Sequence, residues 1–450
     1  MSSRAAPVKV LLGLALPMVI ERASQSVITF ADAIQVKDLG KTAIAAVSTG
    51  GLNVMGFVIG GMGTVFIVQS FVAQLCGRDQ RDQTPRFAWY GLAIALVCGL
   101  VAIALVPAVR PALGLTDFSP ELQDSMTSYM TIRMTSVAAV VGTEALGSWY
   151  GGLGNTWMQM IAGIITMVAA VVLNWVLIGG HLGAPAMGVD GAALASTLAS
   201  WLGFAFLALA WWRGRGGAPS NGGALSFREL RRVVRFGLPN GFNWFLEFAA
   251  FQLFLNGVLS SLGDDAVAAL NVVIAVNSLS FMPAFGLASA GAILSGLAIG
   301  RSDRDAVWPQ VKLTLLCTGT WMGATGVVYL IFPAQVLSLF ASEASGNLVE
   351  IGTTMLVMSA LGQLSDAVSM TLAEALRAAG DTVWTATARL VLAWGVFTPA
   401  AFLLVRFAHG GPIEAMFCLV GYLALLAVAL AWRFRTGAWR RIELIEPSLE

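Results

Sequence analysis

The sequence predicts an all-α polytopic membrane protein: twelve transmembrane helices in two six-helix lobes related by a parallel internal repeat. Three observations carry this expectation: a shortage of charge, a succession of long apolar runs, and blocks of sequence that recur about 222 residues apart. Charged residues make up 11% of the 450-residue chain and hydrophobic ones 57%, against roughly 25% charged in a soluble domain. Such a chain cannot coat a water-facing surface of its own size. Apolar runs of about 20 residues cross a bilayer as helices, and the helical form is forced because hydrocarbon offers no partner for a free peptide N–H or C=O. Outer-membrane barrels are built from short alternating segments, whereas these runs are long and unbroken. A net charge of +1 says nothing about nucleic acid, but no Lys/Arg run has the density of an RNA- or DNA-binding arm, so no nucleic-acid partner is expected. Cys76, Cys98, Cys317 and Cys418 lie far apart, so neither a zinc site nor a disulfide framework follows.

The twelve spans are expected to start near Leu11, Ile44, Phe87, Ser125, Trp157, Gly188, Phe236, Val267, Trp308, Leu348, Val383 and Pro412. The longest polar connection, RGRGGAPSNGGALSFRELRRVVR, separates a lobe of residues 1–212 from one of residues 236–450. Its Gly/Ser/Pro-rich front reads as a flexible linker and its rear as a short basic amphipathic helix. Loops after even-numbered spans hold thirteen Lys and Arg, and loops after odd-numbered spans hold four: Lys37, Lys41, Arg110 and Arg406. The positive-inside rule therefore places the 213–235 linker and both termini in the cytoplasm. The N-terminal MSSRAAPVKVLLGLALPMVI has the look of a signal peptide, but its LALPMVI recurs mid-chain as FGLPNGF, so it is expected to stay as the first span.

The recurrence is general. LGKTAIAAVS at Leu39 pairs with LGDDAVAALN at Leu262, CGRDQR at Cys76 with IGRSDR at Ile299, and GLGNT at Gly152 with AAGDT at Ala378. Six spans per half is an even number, so the halves insert in the same orientation, with a substrate site expected between them near the midplane. That architecture suits alternating access and a secondary transporter. An intramembrane enzyme would need HExxH, GxSxG or paired Asp-rich motifs, and none occurs.

ALPMVI, FADAI, LGKTAIAAVS and VAQLCGRDQ in the first half resemble the signature of multidrug and toxic compound extrusion (MATE) transporters. GLPNGFNWFLEFAAF, FMPAFGLASAGAILSGLAIGRSD and GQLSDAV with EALRAAGDT extend the resemblance, to the bacterial NorM-type branch, over Leu14 to Leu404. The resemblance implies a monomeric multi-pass exporter of the bacterial inner membrane, without a prosthetic group, driven by proton or sodium entry. The chain departs from the family pattern at Lys37, Leu297 and Ala170, where glycine, glutamine and asparagine are usual; Asn174 keeps the second half of the fifth-helix NxxxN pattern.

Six acidic residues fall inside predicted spans: Glu21, Asp32, Glu144, Glu247, Asp366 and Glu374. A carboxylate at a helix centre costs about 2.5–3.5 kcal/mol on insertion scales, so such residues face a cavity, pair or carry ions. Glu247, Asp366 and Asp32 break the repeat, mapping onto Ser24 or Gln25, Val140 and Leu255. Site chemistry breaks a repeat more readily than scaffold does. By resemblance, these three occupy the positions of the functional acids of the NorM-type branch. Glu247 is expected to face a wet interior and bind a cation: a proton, or sodium held with Asp366 and oxygens from Asn243 or Asn271, Asn174 being a further supporting ligand. Glu374 and Arg377 have the i, i+3 spacing of a helix-end pair. Glu21 and Arg22 are adjacent and are each expected to need a separate partner, while Glu144 and Arg133 read as packing between helices.

Trp244, Phe248 and Phe251 share a helix with Glu247, and Phe281, Met282 and Phe285 lie on the next. With Asp32, these flat apolar walls are expected to line a cavity for lipophilic cations, although membrane aromatics also face lipid or simply pack. His181 and His409 occupy matching joints and read as loop residues. The rival reading is a lipid-linked oligosaccharide or lipid flippase of the wider superfamily. It needs inward cations for a pyrophosphate, and only Arg22, Arg133 and Arg389 fall inside spans. In a background without native cysteines, single cysteines at Ser220 and Ser302 should resist an external impermeant thiol reagent and one at Asp264 should react. Equal labelling at all three overturns the orientation.

Overall fold

A computed structural model describes residues 5–116, 118–217, 224–255, 264–338, 346–407 and 410–445; Ser220 and His409 lie outside them. Every regular element among the described residues is helical. The first half comprises α1 (Ala5–Val36), α2 (Lys41–Val65), α3 (Val68–Gly77), α4 (Pro85–Leu113), α5 (Pro120–Met134), α6 (Val137–Gly152), α7 (Thr156–Gly179) and α8 (Gly188–Trp212). The second comprises α9 (Phe227–Leu253), α10 (Asp264–Gly300), α11 (Val307–Ile331), α12 (Pro333–Ser338), α13 (Gly346–Ala378), α14 (Thr382–Leu390), α15 (Thr398–Phe407) and α16 (Pro412–Arg435).

Ten helices among the described residues are long and apolar enough to cross a membrane. The other two expected spans are helical as well but more polar. Residues 120–152 carry Glu121, Asp124, Arg133 and Glu144, and α9 opens with Arg228, Glu229, Arg231, Arg232 and Arg235. The basic helix expected ahead of the seventh span is continuous with it, because the helix runs unbroken from Phe227 through Pro239. Its first turns are anchored locally: the Ser226 N–H donates to the Tyr90 hydroxyl (2.8 Å), which donates to Glu229 (2.7 Å), and Arg86 pairs with Glu229 at 3.1 Å.

The repeat is visible in the helix limits. The bent span Lys41–Gly77, formed by α2 and α3, recurs 223 residues on as α10, Asp264–Gly300. The turns recur too. Asp79 (φ 59°) and Ser302 (φ 62°) are both left-handed, as are Gly154 (81°) and Gly380 (87°). The residue after each returns an N–H to the carbonyl five positions back: Gln80 to Leu75 and Asp303 to Ala298, both 3.0 Å, and Asn155 to Tyr150 and Asp381 to Leu376, both 2.9 Å. These are helix-terminating caps that satisfy carbonyls otherwise orphaned at the helix end.

The chain divides into two compact units, residues 20–241 and residues 1–19 with 242–450. The expected lobes, 1–212 and 236–450, differ from this division in the fronts of α1 and α9. Each changes unit two residues after its internal proline, Pro17 or Pro239.

Within unit 20–241, Gly237 and Gly241 of α9 lie on Thr64 and Gly60 of α2, close enough that a Cβ on either glycine would clash with backbone. The buried Asn240 amide donates to the Gly63 carbonyl at 2.6 Å. In unit 1–19/242–450, Gly286 of α10 takes Val19 of α1 in the same way. Small residues permit such backbone approach where helix association rests on contact rather than on the hydrophobic effect. Gly241→Ala should destabilise the fold by about 1–3 kcal/mol, read as a lower thermal unfolding midpoint in detergent. Gly421→Ala, with nothing within 4 Å of its Cβ, should leave the midpoint equal or higher.

Candidate functional site

In unit 1–19/242–450, α9 sets Asn243, Glu247 and Phe251 four residues apart on one face. The guanidinium of Arg389, at the end of α14, donates through Nη1 to Glu247 Oε2. The Glu247 side chain keeps 43% of its surface accessible and Arg389 only 17%, so the carboxylate is partly accessible while the cation paired with it is enclosed. Asp366 on α13 and Tyr422 on α16 lie within electrostatic reach of both. The Asp366 carboxylate accepts from Ser369 at 3.4 Å. Among the described residues, the buried Tyr422 hydroxyl and the buried Oδ1 of Asn243 have no hydrogen-bond partner.

Directly after Arg389 the helix widens into a π-helical segment, Val391–Phe397. Pro399 has no N–H to return to residue 395, and a wider turn accommodates the missing bond. Trp394 on this segment donates to the Leu246 carbonyl at 3.2 Å, tying it to α9 beside Glu247.

Aromatic side chains adjoin this group. Trp244 meets Phe285 edge-on at 6.3 Å, and Phe285 stacks on Phe281 at 6.1 Å. Phe285 also packs against a cluster of Met322, Met370 and Ala367, the residue after Asp366. Phe248, Phe251 and Met282 are half-buried on the same two helices.

In unit 20–241, the fully buried Asn174 of α7 donates to the Asp32 carboxylate of α1. Its own buried Oδ1 has no hydrogen-bond partner among the described residues, and Arg133 lies within electrostatic reach of Asp32. Elsewhere in the unit, Arg22 joins Glu21 (Nε to Oε2, 3.1 Å) to Glu144 (Nη2 to Oε1, 3.2 Å).

Several expectations change. Adjacent Glu21 and Arg22 share a contact after all, because the guanidinium presents several N–H edges: Nη2 reaches Glu144 and Nε is left facing Glu21. Glu144 is an ion-pair member, and the span expected to link it to Arg133 is broken at residues 135–136 into α5 and α6. Asn271 is exposed on α10, turned away from the buried side of the helix marked by Ala269, Leu270 and Val273. Among the described residues, no three His, Cys, Asp or Glu side chains gather in a metal-binding group. The i, i+3 pair of Glu374 and Arg377 is formed and buried, at 2.5 Å. Tyr422 was not singled out from the sequence, and Arg389 was noted only as one of three arginines inside spans. Arg389 carried the same mark as the acids, since its repeat counterpart is Gly163, 226 residues earlier, by the offset that pairs Thr156 with Thr382.

A helical repeat protein with apolar spans and acids set inside them has the makings of a membrane carrier. The MatE family profile matches residues 17–176 and 241–403, and the chain belongs to that family of transporters. It is 28% identical over 402 residues to the multidrug resistance protein NorM of Aliivibrio fischeri, covering 88% of this chain and 86% of the relative. It is 26% identical over 438 residues to the probable multidrug resistance protein NorM of Neisseria meningitidis, covering 94% and 93%. The fold matches that of a MOP superfamily transporter from Pyrococcus furiosus with a TM-score of 0.86, at 20% identity over 97% of each chain.

Arg377→Met would leave Glu374 charged and buried without its partner, a change that costs about 3–5 kcal/mol. Folded yield and thermal midpoint should fall, and Glu374→Gln in the same chain should restore most of both.

Proposed function

We propose that the protein is a cation-coupled antiporter that exports lipophilic, cationic drugs and toxins across the bacterial inner membrane by alternating access. The observation that carries this reading is the Glu247–Asp366 carboxylate pair beside the Trp244–Phe285–Phe281 aromatic wall. Flat apolar surface binds a lipophilic cation by dispersion and cation–π attraction, and the carboxylates supply the counter-charge. The relatives named as multidrug resistance proteins support the export of drugs. The flippase reading gains nothing from the geometry, since Arg22 and Arg389 are engaged by carboxylates and are poorly placed to hold a pyrophosphate.

In the proposed cycle, a coupling cation entering from outside neutralises the carboxylate pair and favours release of drug. Drug arriving from the cytoplasm meets ion-free carboxylates, and the two cations compete. Differential affinity for the two states drives the swing, because a ligand that binds both equally shifts nothing. Asp32 with Asn174 is assigned a matching part in the other unit.

The test is efflux of an ethidium-type dye from proteoliposomes under separately imposed proton and sodium gradients. Glu247→Gln should fold and bind dye measurably yet lose gradient-driven efflux, with Asp366→Asn behaving alike. Asp32→Asn should lose transport with a larger loss of dye affinity. Export limited to anionic compounds, or wild-type pumping by Glu247→Gln, overturns the assignment.

A further inference from the structure

The residue facing Glu247 is a cation supplied by the chain itself. We infer that Arg389 is a resident counter-cation that makes the Glu247 site indifferent to sodium while leaving it open to bulky organic cations. The inference rests on the antiport reading above and adds to it the residue that sets cation selectivity.

Four titratable or charged groups lie within electrostatic reach of one another on four elements: Glu247 of α9, Asp366 of α13, Arg389 of α14 and Tyr422 of α16, with Glu247 and Arg389 in direct contact. Two carboxylates and one guanidinium leave a single uncompensated negative charge. A monovalent organic cation brings the group to neutrality without entering it deeply, because its spread charge needs no close oxygen shell. Sodium is a hard, compact ion and has to exchange its water for several converging oxygens. Here an oxygen of Glu247 already accepts from Arg389 Nη1, and the guanidinium repels a second compact cation at short range. Of the amide oxygens expected from the sequence, Asn243 Oδ1 is buried one turn from Glu247 and Asn271 stands on an exposed face of α10, so Asn243 alone is left to complete a shell with the carboxylates.

The repeat supports a dedicated role. The counterpart of Arg389 is Gly163, against which Glu21 packs so closely that a Cβ there would lie 3.0 Å from its Cγ. Helix packing at this position therefore needs no side chain in the first half, and the arginine is an addition of the second half. Among the described residues the buried Tyr422 hydroxyl has no hydrogen-bond partner, so it offers the group a further donor beside Arg389.

The experiment uses the full-length protein purified in detergent, in sodium chloride or choline chloride at equal ionic strength. Thermal unfolding and affinity for an ethidium-type dye are read in both salts. Wild type should show the same midpoint in the two salts, and a dye affinity differing less than twofold. Arg389→Gln should gain a sodium-specific stabilisation and lose dye affinity at least fivefold in sodium relative to choline, as competition for the vacated carboxylate requires. Arg389→Lys, which keeps the charge, should stay indifferent. Should Arg389→Gln fail to fold, Arg389→Gln with Asp366→Asn retains Glu247 and relieves one unpaired charge, and the same gain is expected of it. Sodium-specific stabilisation of wild type, or a folded Arg389→Gln (alone or with Asp366→Asn) that stays indifferent to sodium, overturns the inference. Either result leaves dye efflux itself untouched. Absence of dye efflux under every gradient defeats the antiport reading without bearing on the salt comparison.

Discussion

Hydrocarbon solvates neither a peptide group nor a charge, and most of this architecture follows from those two facts. The first leaves helix as the form of every span. The second means that each charge placed inside must be answered by another part of the chain. Glu374 is answered by Arg377 within one turn, Glu144 by Arg22 across α6 and α1, and Glu247 by Arg389 across α9 and α14. Glu374 and Arg377 balance one for one, with both side chains enclosed, and read as scaffold. The Glu247 group carries one carboxylate too many and leaves Glu247 partly accessible, which is the condition for exchanging one cation for another.

Membrane helices gain little from hydrophobic burial against each other, so close contact has to come from small residues and local hydrogen bonds. Gly237, Asn240 and Gly241 on α9 meet Gly60, Gly63 and Thr64 on α2 in this way. The internal proline lies in the same stretch, so α9 leaves one unit and enters the other a few residues later, as α1 does after Pro17. The π-helical segment is a comparable compromise in the second unit. A proline that cannot complete the hydrogen-bond ladder sits one turn beyond Trp394, whose indole holds the widened segment against Leu246.

Much of this was legible without coordinates. Composition fixed the solvent, apolar runs located most helix starts to within a few residues, and the recurring blocks at Leu39/Leu262 and Cys76/Ile299 fall at the two ends of the matching spans Lys41–Gly77 and Asp264–Gly300. The asymmetry of Glu247, Asp366 and Asp32 against the repeat selected residues that the structure places beside other charged or polar side chains. The amphipathic rear of the linker was recognisable, but its fusion with α9 was not. A Pro239 preceded by Gly237 signals a break in water, while in a membrane protein neighbouring helices tolerate it within a continuous helix.

The sequence by itself determined a twelve-helix, two-half membrane protein with acids set inside its spans, because those features rest on composition and period, which are local properties of the chain. Only the tertiary structure decided which charge answers which. Arg389 lies 142 residues from Glu247 and Arg22 lies 122 from Glu144, and no spacing rule reaches across such distances. The i, i+3 pair of Glu374 and Arg377 could be foreseen because both partners ride one helix. The guanidinium on Glu247 depends on how α9, α13, α14 and α16 pack around a common point, and that packing alone turned an expected cation ligand into one already occupied by the chain's own cation.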